Sequence, residues 1–238
     1  MGIGTNITTG ISSESDQFST DQKNEIAMGI AAKLDTSVYA KPEFMAIQMR
    51  QIRLALAEGL DVSSFADPKY DWLQMEEIKI GVKEGLDISK YASPKIDYYK
   101  MRQIRNCLEE GINIDAYIYK RADVIREIRL ANKSKVDIFP YISRGFDAGQ
   151  LEQIRLASEH GVDIEPFLNI EYRGVSLEEI RIGLEKGINV LLYAKLCYNW
   201  RQMRELRLGL EANIDISKFT NPLFSYRQMR EIRKGIQS

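Results

Sequence analysis

The sequence has few of the residues that most often carry out chemistry in proteins. It contains one histidine and two cysteines in 238 residues. Cys107 and Cys197 are too far apart for the close spacing of a zinc or redox motif. His160 stands beside Gly161, and no serine–histidine–aspartate or cysteine–histidine set forms around it. We therefore predict a non-enzymatic protein with reduced thiols, no cofactor and no bound metal.

Long apolar runs and an excess of charge of one sign are also missing. No run of about 18 apolar residues occurs, so we expect no membrane-spanning helix. The N-terminus has no charged-then-apolar leader, and we expect a cytoplasmic protein. The 33 basic and 34 acidic residues give a formal net charge of -1. Because dedicated nucleic-acid binders are usually basic, this balance argues against that class.

What the sequence does contain is one phrase, written nine times. Its form is Gln48-Met49-Arg50-Gln51-Ile52-Arg53, and seven of the eight spacings between copies are 26 residues. The copies start at Gln22, Gln48, Gln74, Lys100, Val124, Gln150, Ser176, Gln202 and Gln228. Such a period is typical of a solenoid, whose units bury their apolar faces against their neighbours. We predict an all-α fold: an α-solenoid of eight to nine two-helix repeats over residues 21–238, after a flexible tail of residues 1–20.

We number each copy from 0 at its first residue. Apolar residues at positions 1, 4 and 8 have the spacing of one helix face. Capping boxes that begin at Asp71, Asp147, Asn199 and Ser225 mark the helix starts, with the position-0 glutamine as their second member. Glycine at position 11, or Asn213 in one copy, marks the helix ends. The first helix is therefore predicted to span about a dozen residues.

Positions 7 and 17 each hold one kind of side chain in successive copies, and we call such a set of equivalent residues a row. Position 7 is always small, which predicts close approach of the next repeat's helix. Position 17 is always aromatic and lies in a second, shorter predicted helix. Its regularity and aliphatic neighbours favour a role in the core over a base-stacking platform. The position-17 residues are Tyr39, Phe65, Tyr91, Tyr117, Tyr141, Phe167, Tyr193 and Phe219.

The most regular polar feature of the repeat is a row of basic residues at position 5. Position 5 is basic in eight copies: Arg53, Lys79, Arg105, Arg129, Arg155, Arg181, Arg207 and Arg233. One interpretation is a ladder that binds the phosphates of RNA or DNA. The other uses position 3, which is Glu or Gln in every copy and lies on nearly the opposite flank of the helix. Position 5 of one helix then faces position 3 of its neighbour, and we favour this pairing.

The surface on which the copies differ is a better candidate for binding a partner. Position 2 carries both signs of charge, which suits a particular protein better than a uniform phosphate backbone. The candidate partner-binding arginines there are Arg50, Arg102, Arg126, Arg204 and Arg230. Position 6 is mainly aliphatic, so either the helices are buried on two sides or they expose an apolar stripe.

Two regions depart from the pattern. The copies over residues 100–149 include one that is two residues short, which indicates either a functional irregularity or local drift. The last copy stops at Ser238 after its first helix. We expect this unfinished end to stack either on another copy of the chain, as a site of self-association, or on a different chain.

The phrases Gln-Met-Arg-Glu-Ile-Arg, Gly-Leu-Asp-Val-Ser-Ser-Phe-Ala-Asp-Pro and Tyr-Asp-Trp-Leu-Gln-Met resemble a short repeat of uncharacterised proteins from Firmicutes and their phages and mobile elements. The resemblance covers roughly residues 22–238. It implies a bacterial or phage origin, with the host cytoplasm as the location in the second case, and carries no shared activity. Our first hypothesis is a helical-repeat protein that binds a protein partner through its variable or concave surface, as a phage or mobile-element inhibitor or as a scaffold. The alternative is nucleic-acid binding through the position-5 ladder.

Overall fold

A computed structural model describes residues 17–237, which form ten α-helices and no β-strand. The fold is all-α. Residues 1–16 of the predicted flexible tail lie outside the described residues, and the first helix begins at Thr20. The helices are Thr20–Ala31 (α1), Ala46–Ala57 (α2), Trp72–Lys83 (α3), Tyr98–Glu109 (α4), Ala122–Ser134 (α5), Phe139–Ser143 (α6), Ala148–Glu159 (α7), Gly174–Glu185 (α8), Trp200–Glu211 (α9) and Tyr226–Gln237 (α10).

The long helices begin and end where the sequence predicts. Asp71, Asp147 and Asn199 accept hydrogen bonds from backbone N–H groups of the first helical turn and complete capping boxes. At the far ends, Gly85 has φ of 66° and Asn213 has φ of 53°. This left-handed conformation is the one that terminates helices. Eight of the described helices are 12 residues long, in agreement with the predicted dozen.

The second element of each copy is shorter than the predicted helix. In most copies it is one turn of 3-10 helix, and only α6 is α-helical there, over five residues. Asp35 and Asp215 begin two of these turns by accepting hydrogen bonds from Ser37 and Ser217. The 3-10 turns are Thr36–Val38, Ile88–Lys90, Glu165–Phe167, Val190–Leu192 and Ile216–Phe219.

The described residues divide into two compact units between Ile118 and Tyr119, and this boundary lies inside the short copy that starts at Lys100. In the first unit α1 packs on α2, α2 on α3 and α3 on α4. In the second unit α5 packs on α7, and α7, α8, α9 and α10 follow in order. Each core therefore lies between consecutive long helices.

The aromatic rows belong to these cores. Tyr39, Phe65 and Tyr91 have no exposed surface, and neither do Tyr193 and Phe219. In the second unit the aromatic side chains join a cluster with aliphatic residues of the helices, such as Leu177 and Leu206. The predicted core role of position 17 is confirmed for these five residues.

Position 7 must be small for a different reason from the one we predicted. A Cβ at Gly81 would overlap the hydroxyl of Tyr91, which belongs to the same copy, and would lie 2.9 Å from Ile88 Cγ2. Gly183 has the same relationship to Tyr193. The prediction that the next repeat's helix approaches here was wrong, because the copy's own 3-10 turn folds its aromatic ring onto the helix.

Candidate interaction surface

Within each compact unit, position-5 residues connect successive long helices. Arg207 on α9 donates from Nε to Glu179 on α8 at 2.7 Å, and Glu179 stands at position 3 of its copy. The same bond, always across 28 residues, is made by Arg53 to Glu25, Lys79 to Gln51, Arg105 to Glu77, Arg155 to Glu127, Arg181 to Gln153 and Arg233 to Glu205. The predicted pairing of positions 5 and 3 is confirmed for these seven copies.

Three of these arginines are buried. Arg155 and Arg181 are 8% exposed and Arg207 is 5% exposed. Each also donates from Nη1 to a glutamate four residues on, so the Nε and Nη1 groups of the guanidinium are both used. These second bonds run from Arg155 to Glu159, from Arg181 to Glu185 and from Arg207 to Glu211. Arg129, the remaining member of the row, is half-buried on α5.

Burial and ion pairing act in opposite directions on the acidic partners. Burial is the larger influence on Glu179 and raises its pKa, although the hydrogen bond and charge of Arg207 lower it. Glu211 lies nearer the surface. Burial raises its pKa, but the hydrogen bonds and charges of Lys186 and Arg207 together outweigh burial and leave the pKa below its ordinary value.

The position-2 arginines lie at the surface, as their variable sequence suggested. Arg50, Arg126, Arg204 and Arg230 are exposed, and the side chain of Arg102 is 42% exposed. Arg102 donates to Glu77 of the preceding helix at 2.7 Å, the same carboxylate that receives Arg105. A position-3 glutamate can thus bind a position-2 arginine and a position-5 arginine of the next helix together.

A patch that our sequence analysis missed lies where α9 and α10 begin. Arg201 stacks on Trp200, 4.9 Å from the ring centroid, and on Tyr226 at 5.3 Å. Arg227 and Arg230 approach the Tyr226 ring at 5.8 Å and 6.0 Å. We call Trp200, Arg201, Tyr226, Arg227 and Arg230 the α9–α10 patch. The patch could have been predicted from one sequence pattern, an aromatic residue followed by arginine just before the repeated phrase.

The surroundings of this patch are basic. The pKa of Tyr226 is lowered, first by a hydrogen bond with Arg227 and then by the charges of Arg227, Arg201 and Arg230. A surface cavity of about 340 Å³ opens beside the patch, between Trp200, Tyr226 and the side chain of Arg173. Arg173 is itself exposed at the start of α8.

The position-0 glutamines have a second role beyond the predicted one. The side-chain oxygen of Gln74 accepts from the Asp71 N–H at 2.8 Å, as a capping box requires. Its Nε2 donates to the carbonyls of Pro94 and Ile96 in the following connector, at 3.2 Å and 2.7 Å. Equivalent bonds, 20 and 22 residues on, come from Gln22, Gln48, Gln150 and Gln202.

The residues that chemistry most often uses are placed as follows. His160 contacts Glu185 through Nδ1 at 2.6 Å and its side chain is 47% exposed. Cys107 is buried in the position-7 row and Cys197 is exposed. Within residues 17–237, no group of three or more histidine, cysteine, aspartate or glutamate side chains is arranged to hold a metal ion.

On α10, where we predicted self-association, the position-3 residue Glu231 is exposed, whereas Glu77, Glu127, Glu179 and Glu205 at position 3 of earlier copies are buried. The position-0 residue Gln228 is exposed on α10 as well.

No α-helix among the described residues is both long and apolar enough to cross a membrane. No family model, curated protein or solved structure matches the chain.

Proposed function

We propose that this chain is a non-enzymatic α-solenoid of 26-residue repeats that binds a protein partner through the surface that varies between copies. Equivalent hydrogen bonds at separations of 20, 22 and 28 residues occur in both compact units and support repeat-on-repeat stacking. Stacked repeats of this kind typically present an extended binding surface. Such a protein would inhibit or scaffold its partner in the cytoplasm, which is that of the host if the protein is phage-encoded.

One observation carries this proposal: the regular and the variable arginines lie in different places. The regular position-5 arginines are turned inward, as in the pair of Arg207 and Glu179, whose side chains are 7% and 6% exposed. The variable position-2 arginines, such as Arg50 and Arg204, are exposed. Arginine is enriched among the residues that dominate protein interfaces, so an exposed row of varied charge suits recognition of one partner.

The same observation weakens the nucleic-acid alternative. A phosphate-binding ladder needs guanidinium groups that reach solvent, because its affinity comes from neutralising phosphate charge. Arg155, Arg181 and Arg207 are instead buried and each donates to two side chains. The formal net charge of -1 also gives the chain no general attraction for a polyanion.

The test is affinity capture with crosslinking from a nuclease-treated lysate of the source cells. The parent protein is compared with a triple variant, Arg50→Gln, Arg126→Gln and Arg204→Gln. The matched control removes the same charge from exposed connector residues through Lys41→Gln, Lys69→Gln and Lys95→Gln. Circular dichroism confirms that all three proteins are folded.

We expect one protein to be enriched by the parent and the control, and its recovery to fall about tenfold with the triple variant, a change equivalent to about 1.4 kcal/mol. Equal recovery by all three proteins would contradict the proposed surface. Material that is recovered only when nuclease is omitted would favour the nucleic-acid alternative.

A further inference from the structure

We infer that the α9–α10 patch is the docking surface for an acidic segment of the partner protein. This inference rests on the proposed function and adds the chemistry of the partner. The patch concentrates two arginines, Arg201 and Arg227, that lie on aromatic rings rather than on carboxylates. In the described part of the chain, neither forms an ion pair with an aspartate or glutamate.

The aromatic rings hold these arginines ready for a ligand. Arg201 is sandwiched between two helix starts, because it contacts Trp200 on its own helix and Tyr226 on the next. A stacked guanidinium keeps N–H groups available at its edges, and two such groups match a carboxylate in a two-point hydrogen bond. Arg227 already donates from Nε to the Tyr226 hydroxyl at 3.3 Å, so its Nη groups are the ones left for a ligand. Side chains that are already ordered lose little entropy on binding, which favours affinity.

The composition of the patch is also that of a protein interface. Tryptophan, tyrosine and arginine are the residues most enriched among interface positions that dominate binding energy. Only the last two copies place an aromatic residue and then arginine before the repeated phrase, as Trp200-Arg201 and Tyr226-Arg227. The corresponding residues of an earlier copy are Trp72 and Leu73, which carry no charge. The basic character is therefore specific to this end of the second unit.

Two features favour an acidic protein segment over single-stranded nucleic acid. Base stacking needs open aromatic faces, and three guanidinium groups crowd the Tyr226 ring. Acidic groups also interrupt the basic surface: Glu171 lines the adjoining cavity and Glu231 is exposed on α10. Spaced carboxylates of a peptide can avoid these groups more easily than a continuous phosphate backbone can.

The experiment is a fluorescence titration of the full chain with a poly-glutamate peptide at low salt. The protein has two tryptophans, so a Trp72→Phe background leaves Trp200 in the patch as the only reporter. In this background the double variant Arg201→Gln with Arg227→Gln is compared with Lys69→Gln plus Lys95→Gln, which removes the same charge from exposed connectors. A poly-deoxythymidine oligonucleotide is titrated in parallel.

We expect the peptide to change the Trp200 emission and to bind the arginine variant about tenfold more weakly than the lysine variant. The inference is overturned by no binding, by equal affinities for the two variants, or by tighter arginine-dependent binding of the oligonucleotide. If the peptide fails while capture of the partner still depends on Arg50, Arg126 and Arg204, the patch is wrong and the proposed function stands. If both fail, the proposed function fails as well.

Discussion

The hydroxyl of Tyr91 occupies the space that a side chain at residue 81 would need. It donates to the Glu77 carbonyl at 3.4 Å, one turn before Gly81 on α3. Tyr39 and Tyr193 make the same bond to Glu25 and Glu179. The glycine and the tyrosine are therefore one packing unit that fastens the 3-10 turn to the helix.

Gly81→Ala should destabilise the protein despite the higher helix propensity of alanine. Overpacking costs about 1–3 kcal/mol, which outweighs a propensity gain of about 1 kcal/mol. Adding Tyr91→Phe should recover much of the loss, because Ala55 and Phe65 occupy the equivalent positions of the preceding copy with no exposed surface. Urea unfolding of the single and double variants measures both effects.

The matched control for this experiment is Gly235→Ala. Beyond its own stretch of helix backbone, a Cβ at residue 235 would meet no atom of the described residues within 4 Å, so only helix propensity should act there. We expect unchanged or slightly increased stability. A loss at residue 235 as large as the loss at residue 81 would show that the tyrosine is not the cause.

Gln74→Glu should be far more costly than its small change in shape suggests. The variant keeps an oxygen for the Asp71 N–H but replaces two donated hydrogen bonds with a carboxylate that faces the carbonyls of Pro94 and Ile96. Leaving buried polar groups unsatisfied costs about 1–3 kcal/mol each, so we expect a loss of about 2–3 kcal/mol in thermal or urea unfolding.

Gln228→Glu tests the same change without the buried carbonyls. Gln228 is exposed and caps α10 together with Ser225, and glutamate is equally suited to that place in a capping box. Its stability should stay close to that of the parent. Equal losses at residues 74 and 228 would refute the bridging role of the Gln74 amide.

Acid should remove the stabilisation that Glu211 provides. Its pKa in the folded protein is lower than the ordinary value of 4.5, so the folded state favours the ionised form. The contribution is complete above pH 4.5 and disappears as the pH falls through the lowered folded-state pKa. We therefore expect the stability difference between the parent and Glu211→Gln to shrink in acid, as measured by urea unfolding across that range. A difference that grows in acid would mean that the sign of the shift is wrong.

The sequence predicted the helices well because their determinants are local. Caps such as Asp71, the left-handed Gly85 and the 3.6-residue apolar pattern all act within one helix. The pairing of positions 5 and 3 could also be predicted, because the period brings opposite flanks of successive helices together. Those elements needed no knowledge of how the connectors run.

The features that the sequence did not predict depend on the segments between the long helices. The second role of Gln74 depends on the path of backbone 20 and 22 residues later, which no local pattern specifies. The partner of Gly81 was missed although a signal exists, since glycine at position 7 accompanies tyrosine at position 17 in three copies. The α9–α10 patch precedes position 0 and so fell outside the repeated phrase.

The most direct test of the central claim is a double-mutant cycle on Arg207 and Glu179. If the position-5 row holds neighbouring helices together, Arg207→Ala and Glu179→Ala should be coupled by about 2 kcal/mol, near the upper part of the range for contacting residues. Lys83 and Glu58 form an ion pair of similar length at the surface, 2.8 Å against 2.7 Å for Arg207 and Glu179. They serve as the control, for which little coupling is expected. If the coupling between Arg207 and Glu179 is no larger than that of the control pair, the account is contradicted. The buried arginines would then again be candidates for binding a ligand.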